Sequence, residues 1–403
     1  MSRYTPHLLV GLIFGLAPLA VAQDTPAGSG GQAPVAGAHA PLTLPSDRPI
    51  GTIEPVFEFY DAMPTGVTVS ASGRIFVNFP RWGDDVPYTV GEIRDGRVVP
   101  YPDIGTNIFD PARPAETLRS VQNVVVDPLD RLWIVDTGAP QLAPPLVGAA
   151  KLVAVDPTTD RIVKTIVLPP SAVTSTTYIN DVRFDLRQGK AGYAYLTDSS
   201  FRGPGGIIVV DLASGESWRR LTGDYSTSPD PTFIPIVEGE QMATRQTGRP
   251  PLNVGYGSNG IAISADGATL YYSPLSSRHL FSVPTRILRD RTVDDAAVAR
   301  SVIDLGEKGA SDGLMSDDKG RIYAGDYEHN SIRQRDTDGI WKTIAHDGRI
   351  LWPDTLWVAN DGYLYFTANQ LHRQPPFHEG TDMREKPYTL FRLKIDGGPV
   401  SLK

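Results

Sequence analysis

The chain has 403 residues, a formal net charge of −8 and no cysteine, and its 39 glycines and 35 prolines favour many short strands joined by tight turns. The absence of cysteine excludes disulfides, thiolate metal sites and cysteine nucleophiles. An acidic chain without runs of lysine or arginine is not expected to bind nucleic acid or an anionic membrane. We therefore expect an all-β protein that depends on its hydrophobic core, which a chain of this length can bury.

The sequence predicts a cleaved signal peptide over residues 1–22, because a basic start is followed by an apolar stretch that ends in the small-x-small pattern Ala-Val-Ala. The alternative is a membrane anchor, but the apolar stretch is short and is interrupted by glycine and proline, so no stable anchor is expected. Residues 23–48 contain almost no large apolar side chain and are predicted to form a flexible leader. The sequence predicts a secreted or periplasmic protein with one folded domain over 49–403.

One two-strand signature recurs six times in this domain: an apolar strand, a turn with Asp or Gly, and an aromatic-rich strand. The copies begin at Gly66, Asn123, Asp181, Gly260, Gly313 and Asp354. Segments between the copies, such as 151–166 and 207–221, read as hairpins that supply two outer strands. A pair of β-sandwiches is the structural alternative, but it would not repeat one signature six times. The sequence therefore predicts an all-β, six-bladed β-propeller of four-stranded antiparallel blades.

Two smaller features are also predicted. A strand over 54–60 is expected to pair within the last blade and close the ring. Helix is expected to be scarce, and 294–301 is the best short candidate.

The stretch from Asp127 to Gly138, DPLDRLWIVDTG, resembles a hallmark of the yellow/major royal jelly protein family: Asp, a turn, Arg-Leu-Trp and then Asp-x-Gly. Further stretches agree in order, namely PRWGDDVPYTV, YINDVRFDL, SVPTRILRD and WPDTLWVANDGYLYFTANQLHR, so the resemblance covers roughly residues 55–395. Insect members usually carry cysteines, one of them at the turn position held here by Leu129, and the chain therefore looks like a bacterial-type relative. The resemblance implies that a small aromatic or amine molecule is bound or converted at one end of the propeller channel.

The copies at Asn259 and Asp312 are also similar to the gluconolactonase/regucalcin propellers. In those proteins, Asn and Asp side chains at the start of the innermost strands hold a divalent ion over the channel, which implies a metal-dependent lactonase. Those proteins also use a Glu from the first blade, whereas this chain has Thr65-Gly66 there.

The residues that open the innermost strands are expected to face the channel mouth, and most carry oxygen. They are Thr65, Asn123, Asn180, Asp181, Asn259, Asp312 and Asp354. Such oxygens suit Ca²⁺ or another divalent cation, so Asn180, Asn259 and Asp312 are predicted as possible metal ligands and Asp312 as a catalytic residue. The alternative is that these side chains only cap strand ends and bond to backbone. No organic cofactor is expected, because the chain has no dinucleotide or phosphate-binding fingerprint.

Three further residues are candidates for the site. His329 follows an inner strand near two acidic residues and is a candidate general base; the alternative is a loop histidine bonded to its neighbours. Trp82 and Tyr178 are predicted to wall a ligand pocket, although aromatic side chains also pack between blades.

Three functions are consistent with these features. The first is binding or tautomerase-type conversion of a small, aromatic molecule at the channel mouth, the second is a divalent-metal-dependent lactonase, and the third is a non-catalytic interaction scaffold. The chain is expected to act as a monomer with a small-molecule ligand.

Overall fold

Six antiparallel sheets of four strands each form a ring, as seen in a computed structural model that describes residues 47–403. The prediction of a six-bladed β-propeller is thereby confirmed. The predicted signal peptide, and the leader up to residue 46, lie outside the described residues.

The blades follow one another along the chain, and in each the first strand is innermost. Blade 1 holds β2 (Val67–Val69), β3 (Ile75–Asn78), β4 (Val90–Arg94) and β5 (Arg97–Pro100). Blade 2 holds β6 (Val121–Val126), β7 (Leu132–Asp136), β8 (Lys151–Asp156) and β9 (Arg161–Val167). Blade 3 holds β10 (Ile179–Asp185), β11 (Tyr193–Asp198), β12 (Gly206–Asp211) and β13 (Ser217–Arg220). Four short strands then interrupt the series, namely β14 (Ile236–Val237), β15 (Glu240–Gln241), β16 (Ala243–Thr244) and β17 (Leu252–Asn253).

The second half of the ring has the same organisation. Blade 4 holds β18 (Ser258–Ile263), β19 (Thr269–Pro274), β20 (His279–Pro284) and β21 (Ile303–Glu307). Blade 5 holds β22 (Ser311–Ser316), β23 (Ile322–Asp326), β24 (Ser331–Arg335) and β25 (Trp341–His346). Blade 6 holds β26 (Pro353–Val358), β27 (Tyr363–Ala368) and β28 (Tyr388–Lys394), and its outermost strand is β1 (Ile53–Phe59).

Blade 6 closes the ring by combining strands from both ends of the described chain. Strand β1 pairs with β28 in antiparallel register from Ile53 opposite Leu393 to Phe59 opposite Tyr388. The predicted closing strand is therefore confirmed, and β1 gives blade 6 the same four strands as the other blades.

The described helices are short, namely α1 (Ile104–Asn107), α2 (Thr285–Arg289) and α3 (Asp295–Arg300). The last confirms the predicted helix, and it begins where the Asp294 side chain accepts a hydrogen bond from the Ala297 N–H. None of the described helices has the length and apolar character that a membrane crossing requires.

The family hallmark holds the turn after an innermost strand. Asp127, at the end of β6, accepts hydrogen bonds from the Leu129 and Arg131 N–H groups, the Arg131 side chain and the Trp133 indole. Asp317, Arg321 and Tyr323 repeat this arrangement in blade 5. The motif Asp-x-x-x-Arg-x-aromatic is therefore a structural device of the blade.

Glycine allows neighbouring innermost strands to approach near the ring axis. A Cβ atom at Gly260 would lie 2.5 Å from the Asp312 carbonyl oxygen, and one at Gly313 would lie 2.2 Å from that of Asp354. This close approach explains why Asn-Gly and Asp-Gly open two copies of the repeat.

Candidate functional site

A cavity of about 220 Å³ lies where the innermost strands of blades 2 to 5 begin. Its polar floor comes from the second residue of each strand, and these residues are Gln122, Asn180, Asn259 and Asp312. The pairing of each of these strands with the next shifts register within its first few residues. A bulge of this kind changes the direction of nearby side chains. Each of the four bulged strands has one polar side chain in the cavity.

One aromatic wall consists of Trp82 and Tyr178. The Trp82 indole N–H donates to the Tyr178 hydroxyl at 2.9 Å, and this hydroxyl donates to the Gln122 side-chain oxygen at 2.8 Å. Burial raises the pKa of Tyr178, so its hydroxyl stays protonated and the chain of hydrogen bonds keeps its direction.

A second aromatic wall consists of Tyr327 and Trp352, whose rings stack with centroids 4.0 Å apart and planes at 11°. The Trp352 indole N–H donates to the Asp312 carboxylate at 2.8 Å. Trp352 has a φ of 59°, a left-handed conformation that is costly for a bulky residue and is typical of functional sites.

Three aspartates lie close together along the channel, and each is at most 5% exposed: Asp181, Asp312 and Asp354. Burial raises the pKa of Asp312 to about 6. Burial and the neighbouring Asp312 raise the pKa of Asp354. Burial also raises the pKa of Asp181, although Arg183 donates to its carboxylate at 2.7 Å and opposes the shift. The floor of the cavity therefore favours a proton or a positively charged group.

Comparisons with known proteins identify the family. The model of the major royal jelly protein family matches residues 119–396. The chain belongs to this family. It is 30% identical to protein yellow of Drosophila erecta over 345 residues, which cover 77% of this chain and 60% of that protein. Protein yellow of Drosophila melanogaster is 29% identical, again over 77% of this chain and 60% of that protein. This family member therefore spans about 60% of the length of these relatives.

Solved structures support the fold of this royal jelly family member. Regucalcin from Agrobacterium tumefaciens, described as a calcium-binding protein, superposes with a TM-score of 0.51 at 14% identity, over 86% of this chain and 97% of that one. A protein proposed to be a gluconolactonase superposes with a TM-score of 0.51 at 11% identity, over 87% of this chain and 95% of that one. At these identities the likeness establishes a shared propeller fold.

The structure brings together one group of the predicted site residues. Trp82, Tyr178, Asn180, Asn259 and Asp312 all line the cavity of this royal jelly family member. They supply the Trp82–Tyr178 wall and most of the polar floor.

The other predicted channel residues bond within the channel wall and do not line the cavity. The Asn123 amide oxygen accepts the Val124 N–H at 2.8 Å, and the Asp354 carboxylate accepts the Asn369 amide at 2.7 Å. Asp181 is held by Arg183. The predicted direct ligand contacts of Asn123, Asp181 and Asp354 are therefore not supported by their positions.

His329 does not line the cavity. Its side chain is 70% exposed, and its Nδ1 atom lies 3.1 Å from each carboxylate oxygen of Asp326. The Asp326 carboxylate raises the pKa of His329, which favours an ion pair at the surface. This placement matches the alternative of a loop histidine bonded to its neighbour and does not support a general base at the cavity.

The three predicted metal ligands, Asn180, Asn259 and Asp312, share the cavity floor. Over residues 47–403, however, no group of three or more His, Asp or Glu side chains is arranged to hold a metal ion. The floor offers one carboxylate, and Trp352 already donates to it. This donor set falls short of the six to eight oxygens that Ca²⁺ usually takes.

Several cavity residues were not predicted, among them Gln122, Met242, Tyr256, Tyr327 and Phe377. Gln122 was missed because Asn123 was chosen in its blade, although Gln122 is the second residue of its strand, as Asn180 and Asn259 are of theirs. Met242 and Tyr256 come from the insertion between blades 3 and 4. The 79-residue spacing between the third and fourth copies was the signal for that insertion.

Proposed function

We propose that this royal jelly family member binds a small aromatic molecule with a basic or hydrogen-bond-donating group in the cavity at the channel mouth. We further propose that it acts outside the cytoplasm after loss of residues 1–22, which N-terminal sequencing of the exported chain tests. The meeting of two aromatic walls over the buried Asp312 carboxyl is the observation that carries the proposal.

The cavity suits such a molecule in size and chemistry. A volume of about 220 Å³ is below the range of drug-sized ligands, so one or two fused rings fill it. Aromatic rings stack against Trp and Tyr, and an attached ammonium group gains further from their π faces. A donor on the ligand can reach the Asp312 carboxyl, and a hydrogen bond assisted by charge is about twice as strong as a neutral one.

The same carboxyl supports a conversion of the ligand. Its pKa of about 6 allows Asp312 to accept and return a proton near neutral pH, as a tautomerase or isomerase requires.

The experiment is calorimetric titration with matched aromatic compounds, with and without an amino group, and with cyclohexylamine as the non-aromatic control. We expect the aromatic amine to bind best, and Asp312→Asn to weaken it about 10- to 100-fold while the neutral aromatic compound is little affected. Glu307→Gln, an exposed carboxylate in β21, is the matched control. Failure of every aromatic compound to bind would contradict the proposal.

A metal-dependent lactonase is the second candidate, because Asn180, Asn259 and Asp312 share the floor. The same protein preparation distinguishes it: lactone hydrolysis that is abolished by a chelator and restored by Ca²⁺ would favour the lactonase. Aromatic binding that is unchanged by the chelator would favour the aromatic pocket.

A further inference from the structure

Two segments outside the blades cover the cavity. The first, which we call the roof hairpins, spans 235–256 and contains β14 to β17. The second, the roof turns, spans 371–377 between β27 and β28. Any molecule in the cavity has these segments among its neighbours.

A second cavity of about 350 Å³, which we call the outer chamber, is lined by side chains of both roof segments. Met242 and Phe377 line the outer chamber and the inner cavity alike. Both side chains are buried, at 6% and 7% exposure. They therefore form the partition between the two spaces.

Glu238 ties the two roof segments together. It lies at the tip of the β14–β15 hairpin, where it and Gly239 both have positive φ, as in the type I′ turn of a two-residue loop. Its carboxylate accepts from His372 at 2.6 Å and from two nitrogens of Arg373 at 2.7 and 2.6 Å. We call this set of contacts between Glu238, His372 and Arg373 the clasp.

The roof hairpins have little stability of their own. Each of their four strands has two residues, whereas blade strands have up to seven. Segments with few backbone hydrogen bonds open at a lower free energy than the sheets around them. The roof hairpins are therefore held in place by contacts with other segments, among them the clasp, a backbone hydrogen bond from Arg245 to the Pro376 carbonyl at 2.9 Å, and a hydrogen bond from the Ile236 N–H to Glu328 at 2.8 Å.

The clasp also reaches the cavity wall. The His372 ring stacks on Trp352 with centroids 5.9 Å apart and planes at 21°, and Trp352 donates to Asp312. A change at the clasp thus acts on the side chain that positions the acid of the cavity.

We propose that the Glu238 clasp and the Met242–Phe377 partition form a gate, and that a ligand reaches the cavity through the outer chamber when the clasp opens. The gate regulates the site of the proposed function, so its role in binding rests on that function. The opening itself does not depend on the identity of the ligand.

The absence of cysteine from the chain permits a direct test. Ser199→Cys places one thiol in the wall of the cavity, and its reaction with 4,4′-dithiodipyridine, a small neutral aromatic disulfide, is followed by absorbance. We expect Glu238→Ala to raise the reaction rate about tenfold or more, because it removes the contacts with both His372 and Arg373. Phe377→Ala, which removes half of the partition, is expected to raise the rate as well.

Two controls make the outcome decisive. Glu216→Ala removes an exposed carboxylate between β12 and β13, outside both roof segments and both cavities, and should leave the rate unchanged. Ser120→Cys reports on a buried position in blade 2, and its rate should not respond to Glu238→Ala.

An unchanged rate at Ser199→Cys would overturn the gate, and so would an equal increase at both cysteines, since that would indicate loosening of the whole fold. The reaction needs no natural ligand. Failure of the gate is therefore distinguishable from failure of the proposed function, which is tested by titration of the unmodified chain.

Discussion

Two sets of buried aspartates in the ring differ in how many hydrogen-bond donors surround them. The turn aspartates, Asp127 and Asp317, each accept hydrogen bonds from two backbone N–H groups, an arginine and an aromatic side chain. Two of the three channel aspartates have fewer donors: Asp312 is held by the Trp352 indole and the Asn259 amide, and Asp354 mainly by Asn369. The third, Asp181, accepts from the Arg183 side chain and the Val182 N–H. Carboxylates that are fully satisfied stabilise the fold, whereas those short of donors keep a capacity to bind a proton or a ligand.

The largest expected effect is on a turn aspartate. Asp127→Ala leaves the buried Trp133 indole and two backbone N–H groups without their acceptor, so we expect the free energy of unfolding to fall by about 3–4 kcal/mol. Denaturant unfolding followed by tryptophan fluorescence measures this loss. Asp338→Ala, in an exposed turn where the carboxylate accepts one backbone N–H, should cost about 1 kcal/mol or less. Equal losses for the two variants would contradict the distinction between the sets.

The channel aspartate Asp312 should make the free energy of unfolding depend on pH. Burial raises the pKa of Asp312 to about 6, above about 3.9 in the unfolded chain, so the folded state holds the proton more tightly. The resulting stabilisation is complete below about pH 4 and is lost as the pH rises through about 6. Relative to Asp312→Asn, the natural chain should therefore lose about 2–3 kcal/mol of unfolding free energy between pH 4 and pH 7.

Unfolding curves of the two proteins at several pH values test this expectation. Asp317→Asn serves as the turn counterpart. If the difference in unfolding free energy between the natural chain and Asp312→Asn stays constant with pH, the expectation is wrong. The pKa of Asp312 would then not be raised in the folded protein.

The smallest effect on stability is expected at Lys308, a buried lysine that, like the channel aspartates, has few hydrogen-bond partners. Lys151 donates to the Asp136 carboxylate at 2.7 Å and to three carbonyl oxygens, whereas Lys308 donates to the Gly309 and Ser277 carbonyls at 2.9 and 3.4 Å. Burial lowers the pKa of Lys308 to about 7. Lys308→Met should therefore change the free energy of unfolding by about 1 kcal/mol or less at pH 7.

Lys151→Met provides the contrast, because it strands Asp136 as an unpaired buried charge and should be clearly destabilising. Thermal and denaturant unfolding of both variants measure the difference. A large loss of unfolding free energy for Lys308→Met would contradict this expectation. It would show that a buried charge with few hydrogen-bond partners can still be important for stability.

The fold was predictable because each blade carries its own local signal. Alternating apolar residues, a turn with Asp or Gly and an aromatic strand occur within about 15 residues of each other, so a single copy indicates a hairpin and six copies indicate a ring. The closing strand β1 was predicted as an N-terminal strand that completes the last blade, and the structure shows it there.

The site was predictable only in part. The rule that strand openings face the channel predicts Asn180, Asn259 and Asp312, and the structure places all three in the cavity lining. The rule does not say which of two neighbouring residues at a strand opening enters the cavity. That choice separates Gln122 from Asn123. The roof was not predictable, because Met242 and Phe377 meet across more than a hundred residues and neither belongs to a repeat.

The seam of the ring has a consequence for how the protein is made. Among the strands that the structure describes, β1 pairs with β28 alone, more than 300 residues later. During synthesis the first five blades can pair internally, and β26 and β27 can contact β2 of blade 1 before β28 has left the ribosome. Until β28 emerges, however, the last blade lacks both of its outer strands, and the arrival of this one strand allows β28 and then β1 to join the sheet.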